Sequence, residues 1–451
     1  MVGEIFLRNT INNSAGAFRR EASPALQKKL RWLLGFFLVL ISYDGSLRKW
    51  GFQSSEQIIF LFKDVILFSA VMISLSEWQK SKTIFPKSTI NFFKFYAFWL
   101  LIELLNLNSP NLLVGIWGLK SHILYAGLPL ILPLAYNRLF DIFRVIGRLY
   151  PILVIPICIV ALIQVGAGGD ASINQLVRGG EEGIAYFGEE SLVRVAGTFS
   201  YIAGMAAFLN SAVVLGIGLI LAGNRSNFFL SSLLITLIVL PVTGSRGVIY
   251  NAVGTLLVIT LIALQVKLVK TKDIKWLVIG LAVFLSISFM TQETVWQAFQ
   301  QRAEGAKEDG PGRITGVITE IYDFYDTAGL FGYGTGTANT GSIALIGNLP
   351  PFYWFPPGVG GESEPGRIML ELGLIGYLIS MGFKISLLIL SYKLAKQGIT
   401  KLIQVVGVMS TPIMLLGVYA GTGVFAATYT SVTYWFIVAI LGMANYEQSH
   451  S

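Results

Sequence analysis

Residues 227–267 read NFFLSSLLITLIVLPVTGSRGVIYNAVGTLLVITLIALQVK, two apolar runs on either side of the short break Thr243-Gly244-Ser245-Arg246-Gly247. An apolar run of about 20 residues crosses the hydrocarbon of a bilayer, about 30 Å thick, as a helix. Each of these two runs is close to that length. The break therefore turns the chain around at one face of a membrane. Because a guanidinium at the edge of hydrocarbon is costly unless it snorkels or meets an anion, the sequence predicts an anionic partner for Arg246.

The composition extends this interpretation to the whole chain. Of 451 residues, 54% are hydrophobic and 13% are charged, and the mean hydropathy is +0.67, whereas soluble domains carry about a quarter charged residues. We expect one all-α polytopic membrane domain over residues 1–451 with about twelve helices. The apolar runs, the fourth of them interrupted, fall near 30–44, 57–75, 90–105, 112–136, 149–167, 197–222, 227–242, 247–267, 275–291, 367–391, 401–419 and 425–445.

The distribution of Lys and Arg orients the predicted bundle, because short cytoplasmic loops collect these residues. With the N-terminus inside, twenty-one of the 33 basic residues lie in inner segments, and both termini are predicted to be cytoplasmic. The net charge of +8 follows from this asymmetry. It does not indicate nucleic acid as a partner, since no basic patch is interleaved with aromatic residues. Nine basic residues fall outside: Arg48, Lys49, Arg178, Arg194, Arg246, Arg302, Lys307, Arg313 and Arg367.

Two predicted outer loops are long enough to carry function. The first, 168–195, is acidic and the shorter of the two. The second, 292–366, is large and lies between the ninth and tenth helices. Residues 313–326 of the large loop have helical spacing and predict an amphipathic helix that lies on the bundle. Its expected apolar face is formed by Ile314, Val317, Ile318, Ile321 and Tyr325.

A glycine-rich run, 329–337, follows that helix and is predicted to be a turn that lets the backbone approach a neighbour closely. It lacks the Gly-Lys-Ser/Thr ending of a nucleotide-binding loop and the preceding strand of a dinucleotide site. A backbone nest for an anion is the alternative. Cys158 is the single cysteine, so an internal disulfide and a cysteine-cluster metal site are excluded.

Ionisable residues also fall inside the apolar runs. Lys63 and Asp64 are adjacent and cannot face each other on a helix, so each needs its own partner. Lys120 is expected to pair with Asp64 or Glu103 across helices, with a proton or ion path as the alternative. His122 lies near Lys120 in the fourth run.

Five short motifs, in order along the chain, resemble those of the O-antigen ligase and O-antigen polymerase superfamily. The resemblance covers residues 150–390, and the large loop before a late helix matches as well. The motifs are Arg194-Val-Ala-Gly-Thr-Phe199, Thr243-Gly-Ser-Arg246-Gly247, Arg313 at the head of the loop helix, Phe331-Gly-Tyr-Gly334 and Glu371-Leu-Gly-Leu-Ile-Gly376.

The resemblance implies a GT-C-like membrane glycosyltransferase at the outer face of a bacterial plasma membrane. The donor would be a glycan on a polyprenyl (undecaprenyl) diphosphate, and the acceptor a hydroxyl of a glycan, lipid or protein. No metal and no other cofactor is required in that scheme. A chain-length regulator would be a further partner if the protein polymerises units of surface polysaccharide rather than ligating them.

The same resemblance implies roles for particular residues. Arg194 and Arg246 would bind the diphosphate, with Arg313 and Arg367 as supplementary ligands, and Arg246 would also act in catalysis. The ligase branch carries a histidine nine residues before the glutamate of the Glu-Leu-Gly-Leu-Ile-Gly motif, and this chain has Glu362 there. Glu362 or Glu364 is therefore the candidate general base, because a carboxylate can also accept the proton of an acceptor hydroxyl.

Plainer interpretations stay open for each of these residues. The arginines would instead pair with loop carboxylates or lipid headgroups, and the glutamates would be solvated loop charges. Two other functions are also open: transport of a small anion such as inorganic carbon, and a non-catalytic member that binds a lipid-linked glycan.

Overall fold

The computed structural model describes residues 22–78, 84–175, 177, 186–187, 192–269, 297, 309–342, 363–419 and 428–450. In this part of the chain the protein is all-α, as predicted, except for one antiparallel pair of two-residue strands, β1 (Tyr186–Phe187) and β2 (Leu192–Val193). The helices are α1 Pro24–Ser46, α2 Glu56–Trp78, α3 Lys87–Leu104, α4 Leu112–Ile123, α5 Leu128–Ala135, α6 Leu139–Ala167, α7 Ile202–Leu221, α8 Asn227–Val242, α9 Arg246–Gln265, α10 Asp309–Ala328, α11 Glu364–Gln397, α12 Lys401–Tyr419 and α13 Thr428–His450.

Eight segments of the described chain are long and apolar enough to cross a membrane: Pro24–Gly51, Gln53–Glu77, Leu112–Ala135, Leu139–Ala167, Ile202–Leu221, Arg246–Gln265, Glu364–Gln397 and Lys401–Tyr419. The shorter α8 is also apolar. The run expected at 275–291 lies outside the described residues. A polytopic membrane protein is supported by these segments, whereas the number of crossings stays a prediction.

Most predicted helices appear close to their expected bounds, and one difference has a clear cause. The helix expected from 197 begins only at Ile202, because Gly197 adopts φ +57, which interrupts a helix. The fourth run is interrupted as expected, since the 3-10 turn Leu124–Gly127 separates α4 from α5.

Helix α13 lies at the centre of the bundle. Ile437, Ala439, Ile440 and Leu441 are fully buried, and the helix packs against α5, α7 and α12. A helix that is apolar on all sides is stable only when neighbours surround it. Helices α5, α7 and α12 provide these neighbours for α13.

Helix α11 is not the continuous helix that the sequence predicts. Gly373 has φ 64 and ψ −173, and the chain reverses there. As a result the Lys384 ammonium lies 3.2 Å from the Glu364 carboxylate, although these residues are 20 apart and a straight helix would separate them by about 30 Å. Residues 364–372 and 374–397 thus form a helical hairpin with its tip at Gly373.

The backbone groups that this break exposes are satisfied by distant parts of the chain, as an apolar environment demands. Leu374 N donates to Gly329 O at 3.0 Å, and Gly334 N donates to Glu371 O at 2.9 Å. Trp99 Nε1 of α3 donates to Leu372 O at 3.0 Å. The glycine run therefore caps the hairpin tip, which confirms the predicted close approach of its backbone to a neighbour.

Helix α10 packs along α11, as predicted for the amphipathic loop helix. Its buried face differs from the prediction in part: Ile321 packs inward as predicted, beside the buried Phe324, whereas Ile318 and Tyr325 are exposed. The reason is Gly366 of α11, where a Cβ atom would come within 2.6 Å of the Phe324 ring. The missing side chain leaves room for that ring and sets how α10 is rotated.

Candidate functional site

Two arginine motifs come to one end of the bundle. Helices α7, α8 and α9 pack against one another through short connections, so the start of α7 and the start of α9 lie at the same end. The segment before α7 also docks on the last turn of α1, where Ser46 N donates to Thr198 O at 2.7 Å. We call this end, which carries residues 45–56, 192–202 and 243–246, the arginine end.

The structure brings Arg194 and Arg246 to the arginine end, and both are half-buried. Arg194 follows β2 directly, and Arg246 is the first residue of α9. The predicted anion ligands thus share one end of the molecule, in agreement with their order along alternating helices.

The other predicted site residues lie elsewhere or outside the described part. Arg313 lies within α10, its side chain is not described, and Glu362 falls outside the described residues. Arg367 is half-buried in the first turn of α11. Glu364, which was expected in a loop, is the first residue of α11 and is 1% exposed, against Lys384. Its carboxylate is therefore held by a lysine and not presented to solvent.

A group of cations that we call the cation cluster lies where α1, α2 and α4 meet: Arg48, Lys49, Lys63 and Lys120. Two carboxylates of the described chain form ion pairs with it. Lys63 Nζ donates to Asp44 Oδ2 at 2.7 Å, and Lys120 Nζ lies 2.5 Å from Asp64 Oδ2. These distances confirm that Lys120 pairs with Asp64, one of its two predicted partners. They also confirm that the adjacent residues Lys63 and Asp64 have different partners.

An aromatic pair forms the floor of the cation cluster. Phe60 and Trp117 stack with their ring centroids 5.7 Å apart. Three cations approach the Phe60 centroid: Lys63 Nζ at 3.8 Å, and Arg48 Cζ and Lys120 Nζ each at 5.0 Å. The ring face is negative, which offsets part of the repulsion between these like charges.

A second polar group lies around the hairpin tip, and we call it the hairpin network: Tyr96, His122, Glu364, Glu371 and Lys384. His122 Nε2 lies 2.9 Å from Glu371 Oε2, and its Nδ1 lies 2.8 Å from the Tyr96 hydroxyl. All three side chains are buried. The motif glutamate Glu371 thus contacts a histidine from α4, a pairing that no sequence pattern indicated.

The two groups differ in what they can do chemically. The hairpin network matches each potential cation with a carboxylate inside the protein, an arrangement that holds helices in register. The cation cluster instead holds four cations, and only two carboxylates of the described residues form ion pairs with it, which favours an anionic ligand. Among the described residues, no group of three or more His, Cys, Asp or Glu side chains is placed to hold a metal ion.

Sequence reasoning missed Arg48, Lys49, His122 and Lys384 as parts of these groups. The charge census did contain a signal for the first two, since they were among the basic residues assigned to the outer face. The pairing of His122 with Glu371 joins residues 249 apart and has no local signature.

A comparison with protein-family profiles finds no match, and no curated protein matches the chain.

Proposed function

We propose that the protein is a membrane glycosyltransferase that moves a glycan from a polyprenyl-diphosphate carrier to an acceptor hydroxyl. The observation that carries the proposal is the presence of Arg194 and Arg246 at one end of the bundle. The charge asymmetry supports an extracytoplasmic position for this end in a bacterial plasma membrane, with both termini in the cytoplasm. Donors of this type are available at that face.

The proposed chemistry uses the guanidinium groups to hold the leaving group. Breaking the glycosidic bond leaves its electrons on the polyprenyl diphosphate, and planar guanidinium forks bind phosphate oxygens bidentately. Half-buried surroundings strengthen this stabilisation relative to water. Arg313 and Arg367 are supplementary candidates in the proposal.

Of the two candidate bases, we assign the role to Glu362. The proton of the acceptor hydroxyl must pass to a group that is free to accept it as the new bond forms. The Glu364 carboxylate is buried against Lys384 at 3.2 Å, so it is committed to an ion pair. Glu362 lies two residues before it in the chain and corresponds to the histidine position of the resembling family.

The test is a transfer assay with purified protein in proteoliposomes, using a polyprenyl-diphosphate glycan and a chelator. Removing one group that stabilises developing charge costs about 10²- to 10³-fold in rate, so Arg246→Ala is expected to lower transfer at least 100-fold. Arg225→Ala is the matched control, because Arg225 is exposed in the turn between α7 and α8, at the opposite end. Full transfer by Arg246→Ala would remove Arg246 from the mechanism.

Anion transport is the second candidate, and one observation favours it. Two broken helices, the α4–α5 pair and α11, face each other through His122 and Glu371. Discontinuous helices with ionisable groups at their breaks form the sites of many transporters. Uptake of labelled bicarbonate or phosphate into proteoliposomes tests this candidate. Uptake that survives Arg246→Ala and is lost in His122→Ala would favour transport over transfer.

A further inference from the structure

The cation cluster contains two positive charges that the described chain does not neutralise. Arg48 and Lys49 form no ion pair with the described residues, and Lys49 is 1% exposed. The Arg48 Nε atom is buried and has no hydrogen-bond partner among the described residues. A buried charge without a counter-charge is strongly unfavourable, so a negative group would stabilise this site.

The local backbone is specialised at the same position. After α1 ends, residues Leu47–Gly51 form a π-helical turn, and this turn contains both Arg48 and Lys49. Wider turns of this kind are rare and are frequently found at functional sites. Here the turn places two consecutive cations next to one aromatic floor.

Neighbouring contacts fix the Arg48 guanidinium and leave part of it available. Nη1 donates to Ser200 Oγ at 3.0 Å, and Cζ lies 5.0 Å from the Phe60 centroid. One side of the fork is thus anchored to the segment that precedes α7, while Nε is unused. A guanidinium held in this way is preorganised for an oxyanion.

We propose that Arg48 and Lys49, supported by Lys63 and Lys120, form a phosphate-binding site at the arginine end, separate from the ligands Arg194 and Arg246. Lys63 and Lys120 are already paired with Asp44 and Asp64, so they contribute to the positive electrostatic potential of the site and do not contact the phosphate directly. The phosphate oxygens would accept hydrogen bonds from the Arg48 Nε and the Lys49 ammonium. The site does not require glycan transfer, so it stands or falls independently of the proposed function.

The surroundings of the site favour a phosphate attached to a lipid. Trp50 follows the two cations directly and Phe52 lies two residues further on. These residues are 39% and 56% exposed, respectively. Exposed aromatic rings at helix ends lie at the level of lipid headgroups. A free phosphate has the same oxygen atoms as a lipid phosphate, but it has no hydrocarbon chain for these rings to contact.

The test is a binding titration with two probes, geranylgeranyl diphosphate and inorganic pyrophosphate, in detergent at constant ionic strength. The purified full-length protein and its variants all carry Arg246→Ala, so that the proposed donor site does not contribute. We expect the dissociation constant for geranylgeranyl diphosphate to rise at least tenfold in Arg48→Gln and in Lys49→Gln. Arg225→Gln, which removes an exposed arginine at the opposite end, should leave it unchanged. Tighter binding of the lipid probe assigns the site to a lipid headgroup, and equal binding of both probes assigns it to a free phosphate.

Two controls keep the proposal open to refutation. If Arg48→Gln does not fold, Arg48→Lys keeps the charge and loses the fork, and we expect at least threefold weaker binding. Arg246→Ala should retain binding at the Arg48 site even when transfer is lost. Unchanged binding in Arg48→Gln, Arg48→Lys and Lys49→Gln would overturn the proposal and would leave the proposed function standing.

Discussion

The hairpin network and the cation cluster both place ionisable side chains inside an apolar bundle, yet their charges are arranged differently. In the hairpin network Lys384 meets Glu364 and His122 meets Glu371. In the cation cluster two carboxylates form ion pairs, whereas Arg48 and Lys49 have none among the described residues. Internally matched charges fix the position of helices, and unmatched charges prepare a surface for a ligand. This difference predicts that mutations in the first region change stability and mutations in the second change binding.

The largest expected effect is the loss of a partner from the hairpin network. Lys384→Met leaves the Glu364 carboxylate buried without its cation, and breaking a buried pair in this way costs about 3–5 kcal/mol in the free energy of unfolding. Thermal or denaturant unfolding in detergent measures the loss. The double variant Lys384→Met/Glu364→Leu should recover most of it, because no unpaired charge remains.

Lys396→Met is the control for that experiment, since Lys396 is exposed near the end of the same helix. Its substitution should change stability by no more than about 0.5 kcal/mol. An equally small effect of Lys384→Met would show that the hairpin does not depend on the ion pair.

The next largest effect concerns the hairpin tip. Gly373→Ala forces a side chain into a backbone conformation that costs about 1–3 kcal/mol, and its Cβ would overlap the Leu330 carbonyl oxygen. We expect a loss of at least about 2 kcal/mol in unfolding experiments. Gly254→Ala is the matched control, because a Cβ there meets nothing within 4 Å and α9 continues through it. If both variants are equally stable, the chain reversal at Gly373 is not required.

A smaller effect is expected from Tyr96→Phe. This variant removes the hydroxyl that bonds His122 Nδ1 at 2.8 Å, and a hydrogen bond of this kind contributes about 1 kcal/mol. Tyr322→Phe, at an exposed tyrosine of α10, should have no measurable effect on unfolding. A loss well above 2 kcal/mol in Tyr96→Phe would mean that the hydroxyl holds the whole network together.

The smallest effect on stability is expected in the cation cluster. Arg48→Gln loses one hydrogen bond to Ser200 but also relieves repulsion from Lys49, Lys63 and Lys120. The free energy of unfolding without ligand should therefore fall by no more than about 1 kcal/mol. A loss as large as that of Lys384→Met would place Arg48 among the structural charges and remove the contrast between the two regions.

Hydrophobic runs were sufficient to predict most of the helices. Both α8, Asn227–Val242, and α12, Lys401–Tyr419, have the bounds expected from the sequence. The partner of Lys120 was also predictable, because few carboxylates lie in apolar runs and each must be neutralised there. These features depend on local composition or on a small number of alternatives.

The hairpin and the phosphate-binding residues could not be predicted in the same way. Gly373 lies in an apolar motif that reads as continuous helix, and the groups that cap the break come from Gly329, Gly334 and Trp99. The face of α10 was predicted correctly at Ile321 and wrongly at Ile318 and Tyr325, because it depends on Gly366 of another helix. Arg48 acquires its setting from Ser200 and Phe60, and only the folded chain brings these together.

The most direct test of the contrast is the thermal stabilisation that geranylgeranyl diphosphate confers on wild type, Tyr96→Phe and Arg48→Gln, all three carrying Arg246→Ala so that the proposed donor site does not contribute. At one hundred times the wild-type dissociation constant, a ligand that binds only the folded state stabilises it by about 2.7 kcal/mol. We predict this increment for wild type and for Tyr96→Phe, and about 1.4 kcal/mol or less for Arg48→Gln, whose affinity is at least tenfold lower. Equal increments in all three proteins would contradict the assignment of ligand binding to the cation cluster and of structure to the hairpin network.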